Sequence, residues 1–113
     1  MNNSTTAYDL MAIFEAVAKK SAIDEKSCNE MLMILLGQKF RDKIPALLPE
    51  GTKVAHKTGN ITGIEHDSGI VFLPDGRQYV LVMLSKNLED VKAAKKVMAT
   101  ISRKIYDSLV KAK

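Results

Sequence analysis

Four consecutive residues, His56-Lys57-Thr58-Gly59, hold the densest chemistry in this 113-residue chain. An imidazole, an ammonium and a hydroxyl follow one another, and a glycine then removes all side-chain bulk. The four continue Lys53-Val54-Ala55, which reads as a strand, after the turn signal Leu48-Pro49-Glu50-Gly51. Other reactive groups are less well placed. Cys28, the single cysteine, falls on an apolar helical face, so it is read as buried and inert, and no internal disulfide is possible. His56 and His66, with Glu65 and Asp67 nearby, lack the spacing of familiar zinc sites. Neither a metal nor a cofactor is expected. Met31, Met33, Met83 and Met98 are read as core filling.

The elements that must position the run divide the chain near residue 50. Residues 6–20 read as a helix: Thr6 precedes Asp9 as in a capping box, and Leu10, Ile13, Phe14 and Val17 repeat at helical spacing. Lys19 and Lys20 would close it at the negative end of its dipole. Residues 24–36 form a second helix, opened by Asp24 and Glu25 and closed by Gly37. Its run Met31–Leu36 is apolar all round, which predicts burial on more than one side. A short helical turn is expected at 39–47, with Phe40, Ile44 and Leu47 on one face.

From Lys53 onward the pattern changes to strands at Lys53–Gly59, Ser68–Leu73 and Gln78–Ser85. A glycine-containing connection around Asn60–Glu65 joins the first two, and the turn Pro74-Asp75-Gly76 joins the last two. Asn87 and Asp90 start a long final helix whose stripe is Val91, Ala94, Met98, Ile101, Ile105 and Leu109. The fold class is α+β: two N-terminal helices, a three-stranded antiparallel meander, and a long C-terminal helix packed on the sheet. The chain is read as a single partial domain, residues 1–113, with a helical segment at 1–50 and the strands plus final helix at 51–113.

Seventeen Lys and Arg against thirteen Asp and Glu give a formal charge of +4. Several of the basic residues lie along the final helix, which reads as a solvated face. No motif interleaves the six aromatic residues with basic ones, so no nucleic-acid partner is expected. No apolar run approaches the roughly 20 residues of a membrane span. Met1–Thr6 lacks a basic stretch followed by an apolar core, so no signal peptide is expected and the location stays open.

Lys57-Thr58-Gly59 is the K-T-G element of the penicillin-interacting serine enzymes, which also carry S-x-x-K and S-D-N. Around it the chain resembles the C-terminal portion of class A β-lactamases from residue 3 to residue 111. Asn3-Ser4-Thr5-Thr6-Ala7-Tyr8-Asp9-Leu10 resembles the segment that starts a helix after the omega loop. Leu48-Pro49-Glu50-Gly51 is similar to the L-P-x-G turn before the catalytic strand. His66-Asp67-Ser68-Gly69-Ile70-Val71 is similar to the family's N-D strand opening, with His66 in place of Asn. The resemblance implies that Lys57 supplies positive potential, Thr58 a hydroxyl donor and Gly59 room for close approach. It implies that the backbone N–H of Asn60 is one oxyanion donor, and that His56 and His66 are neighbours of the cleft.

The family's nucleophile has no match at its place before K-T-G. Ser108-Leu109-Val110-Lys111 spells S-x-x-K after it, and Ser27-Cys28-Asn29 only echoes S-x-N inside a helix; both read as chance. The omega-loop glutamate has no counterpart either. The expectation is therefore the C-terminal part of a β-lactamase-like serine hydrolase, inactive alone. A β-lactam or acyl-peptide substrate would be engaged only with the missing N-terminal part. The alternatives are a D,D-peptidase-like parent, or a non-catalytic binding or assembly module. The parent family is secreted or held in the cell envelope. In the intact fold, N-terminal strands cover the strand at 78–85, so self-association through that strand or by helix exchange is expected.

Overall fold

A computed structural model describes residues 4–112; Met1–Asn3, where the resemblance begins, and Lys113 lie outside the described residues. The order is α1 (Ala7–Ala18), α2 (Glu25–Leu36), β1 (Val54–Ile61), β2 (Ile64–Phe72), β3 (Gln78–Ser85) and α3 (Val91–Lys111). Each helix starts at a capping side chain. Thr6 accepts from the Asp9 N–H, Asp24 from Ser27 and Asp90 from Ala93, which satisfies a backbone donor left over by each first turn. The Ser27 amide bond holds the Asp24 carboxyl below the usual carboxylate range. α1 ends earlier than expected, because Lys20 turns left-handed at φ +62° and Lys19 is the cap.

The strands form one antiparallel sheet in the order β1-β2-β3. The register pairs Lys57 with Ser68, Thr58 with Asp67, Gly59 with His66 and Asn60 with Glu65. The β1–β2 connection is tighter than expected: Ile61 already pairs with Ile64, leaving Thr62-Gly63 as a two-residue turn with Gly63 at φ +70°. The Pro74-Asp75-Gly76 turn forms as expected, closed by the Leu73 N–H on the Arg77 carbonyl, with Gly76 at φ +91°.

Strand alternation gives the sheet two different faces. On one, Ala55 and Ile70 pack with Phe14 and Val17 of α1 and with Met31, Leu32 and Leu35 of α2. On the other, Val54, Val71 and Leu73 pack with Ile44 and with Tyr106 of α3. Half-buried Tyr79 lies against this second cluster, and burial, then Tyr106, pushes its hydroxyl up to about 12.

Three expectations are corrected. Residues 39–47 form no helix but a chain of turns, in which Ala46 bonds to Lys43 and Leu48 to Pro45; of the expected apolar face Ile44 alone is buried, beside Lys43 and Pro45, while Phe40 and Leu47 are exposed. Pro45 has no N–H to continue a helical ladder there. α2 buries one side only, since Met33 and Ile34 are 71% and 77% exposed. The buried side of α3 is Met98, Ala99, Ser102 and Tyr106, rotated from the expected stripe so that Ile101 is 44% exposed. A polar serine replaces an isoleucine against the core because Ser102 donates to the Ile44 carbonyl at 2.8 Å.

Candidate functional site

β1 carries the K-T-G run along an open edge, paired on one side by β2 alone among the described residues. Its pleat sends Lys57 and Gly59 toward the α1/α2 side, and His56, Thr58 and Asn60 toward the α3 side. Lys57 is exposed, and its ammonium donates to the Thr58 carbonyl. Thr58 is buried, Gly59 half-buried and Asn60 exposed. The His66 ring lies across Gly59: a Cβ there would stand 3.6 Å from His66 Cβ. His66 Nδ1 accepts from the Ser85 N–H at 3.1 Å, which ties the start of β2 to the end of β3.

The structure places His56 inside the protein. It is fully buried, and its Nδ1 stands 2.8 Å from Asp67 Oδ1. The other Asp67 oxygen accepts from the Ile44 N–H at 3.0 Å. His56 Nε2 has no partner among the described residues. Gly69 sits opposite His56 in the register, and a Cβ there would come within 2.4 Å of the Ala55 carbonyl oxygen and 2.5 Å of His56 Cβ. That glycine is required by close backbone approach, since its φ is not left-handed.

Beside this pair lies an ion network that reading the sequence missed. Lys43 Nζ bonds Glu65 Oε2 at 2.8 Å, with both side chains almost wholly buried. Lys95 of α3 reaches Asp42 at 2.9 Å and Glu65 at 3.9 Å. The Lys95 hydrogen bond holds the Asp42 carboxyl low, and Asp42 in turn raises Lys95. Glu65 is the register partner of Asn60, and Asp67 that of Thr58. The two carboxylates therefore stand directly behind the site residues and bind the 42–44 segment to the sheet. The available signal was Glu65 and Asp67 two residues apart on a strand, but without a known partner that pattern reads as a solvated face.

Glu65, His56 and Asp67 face the α3 side, whereas His66 faces the helices α1 and α2, so the sheet itself separates the two histidines. The S-x-x-K at the chain end is also remote from the wall. Arg77 Nη2 bonds the Leu109 carbonyl, which puts Ser108 and Lys111 by the β2–β3 turn, at the opposite end of the sheet from Gly59. Ser27 and Asn29 flank buried Cys28 in the first turns of α2.

An exposed lysine and a buried threonine on an edge strand, backed by an antiparallel meander and crossed by a long terminal helix, define the K-T-G half of a penicillin-interacting serine enzyme fold. A family model described as the Beta-lactamase enzyme family matches residues 1–109, and the chain belongs to that family. Its fold is that of class A β-lactamases. It is 29% identical over 119 residues to a β-lactamase of Bacteroides uniformis, covering 95% of this chain and 40% of that protein. The crystal structure of the TLA-1 extended-spectrum β-lactamase superposes with a TM-score of 0.83 at 30% identity, over 95% of this chain and 42% of that one. A variant of PBP-A, solved as its acyl-enzyme complex with penicillin G, superposes at 0.88 with 27% identity, over 96% and 41%. The chain thus spans about two-fifths of the length of these relatives.

Proposed function

We propose that this chain forms the K-T-G wall of a serine hydrolase that opens β-lactams through an acyl-enzyme. Lys57 supplies positive potential for the substrate carboxylate, Thr58 a hydroxyl, and the Asn60 N–H one oxyanion donor. The observation that carries this reading is the K-T-G run displayed on an open edge strand within a family fold. The nucleophile and its lysine come from an S-x-x-K element outside these 113 residues. By themselves the 113 residues therefore turn over no substrate, since losing the serine of another serine hydrolase costs about 10⁶ in kcat. The test is intact-mass analysis of the 113-residue chain after incubation with benzylpenicillin, beside an assay with a chromogenic cephalosporin. No mass gain and no hydrolysis are expected. A covalent adduct contradicts the assignment of the nucleophile.

A second reading, an assembly module, is favoured by one feature. β3 is an edge strand whose eight residues include no proline, glycine or charge, the usual protections against strand pairing. Self-association through residues 78–85, or by exchange of helices, follows from it. Light scattering of the chain should show a dimer or larger species; a folded monomer at all concentrations rules this out.

A further inference from the structure

A cavity of about 550 Å³ opens at the end of the sheet nearest Gly59, on the α1/α2 side. His66, Ser85 and Lys86 line it together with Thr5, and Ile64 and Leu84 form its apolar walls. The orientation of the His66 ring decides its chemistry. A backbone N–H can only donate, so the Ser85 amide makes Nδ1 an acceptor and leaves Nε2 as the N–H of the ring. No described residue accepts from that N–H. Lys86 adds an exposed ammonium, again a donor only. No Asp or Glu side chain lines the cavity. Glu65 and Asp67, the carboxylates on either side of His66 in sequence, both project from the opposite face, to Lys43 and to His56.

The cavity therefore offers donors and positive charge at one side and aliphatic surface at the other. We propose that it binds a small carboxylate-bearing molecule, the carboxylate accepting from His66 Nε2–H and Lys86 and the apolar body lying on Ile64 and Leu84. A divalent cation would meet Lys86 and an N–H instead of lone pairs, and an uncharged apolar ligand would leave both donors unmatched. The site borders the K-T-G strand, since His66 lies across Gly59, but no residue of that strand lines it: the cavity is lined from β2, β3 and the residues before α1. It rests on this geometry alone and does not need the hydrolytic reading.

The test is a titration of the ¹⁵N-labelled 113-residue chain with benzoate, followed by amide shifts and by the His66 ring nitrogens. Benzoate should give saturable shifts at Ser85, Lys86 and His66 Nε2, while benzamide, its neutral counterpart, gives none. Lys86→Gln and His66→Phe should each weaken benzoate about tenfold, the scale of one charge-assisted hydrogen bond. Benzamide binding as well as benzoate, or inorganic phosphate shifting the same amides as tightly, overturns the carboxylate assignment. Shifts centred on Lys57–Asn60 instead overturn the location. His66→Phe also removes the acceptor of the Ser85 amide; if it fails to fold, the exposed Lys86→Gln decides, and wild-type affinity there overturns the proposal.

Discussion

Replacing Lys43 by methionine should destabilise the chain far more than its position in a turn suggests. The change keeps length and apolar stem but removes the ammonium 2.8 Å from Glu65 Oε2. Glu65 then keeps only Lys95, at 3.9 Å and already bonded to Asp42 at 2.9 Å. Stranding one charge of a buried pair costs about 3–5 kcal/mol, and the residual attraction to Lys95 places this case near the lower end, about 3 kcal/mol. At roughly 4 °C per kcal/mol for a domain of this size, the melting temperature should fall by about 12 °C. The double variant Lys43→Met/Glu65→Gln removes the stranded charge and should recover at least about 1.5 kcal/mol of the loss. Urea denaturation of the wild type, both single variants and the double variant closes the cycle. A Lys43→Met loss below about 1 kcal/mol, or simple additivity in the double variant, refutes the argument that this pair is held in a buried, low-dielectric position.

Gly69→Ala should cost about 3 kcal/mol or prevent folding, because a Cβ 2.4 Å from the Ala55 carbonyl oxygen forces backbone strands apart; an unchanged denaturation midpoint would contradict the packing described for His56. Asp42→Asn should flatten the acid side of the stability profile. The Asp42 carboxyl is held low by Lys95, so its contribution is complete above the ordinary carboxylate pKa, about 3.9, and is lost as pH falls through the lower folded value. Identical profiles for wild type and Asp42→Asn between pH 2 and pH 5, about the range where carboxylates titrate, would show that the Lys95 contact has no effect.

Much of the fold was legible because its signals are local. Thr6, Asp24 and Asp90 cap the three helices, and the Pro74-Asp75-Gly76 turn forces a hairpin. The family placement was legible for a different reason: several short segments stand in the right order around Lys57-Thr58-Gly59. What could not be read depends on pairing across distance. Ile101 and Ser102 exchange roles on α3 because Ser102 finds the Ile44 carbonyl, 58 residues away in sequence. Residues 39–47 space Phe40, Ile44 and Leu47 as a helix would, yet Lys43 and Ile44 are drawn onto Glu65 and Asp67 and the segment folds as turns. His56 looked like a cleft residue from its place beside Lys57, but strand alternation and the space above Gly69 turn it inward onto Asp67.

The central claim is that Lys57 and its neighbours form one wall of a β-lactam-hydrolysing site. It is tested most directly by replacing the corresponding C-terminal part of the Bacteroides uniformis β-lactamase with this chain and measuring kcat/KM for a chromogenic cephalosporin. The account predicts hydrolysis by the chimera, and a fall of about 10²-fold or more on Lys57→Ala with the melting temperature unchanged. A folded chimera that hydrolyses equally well with alanine at position 57 would contradict it.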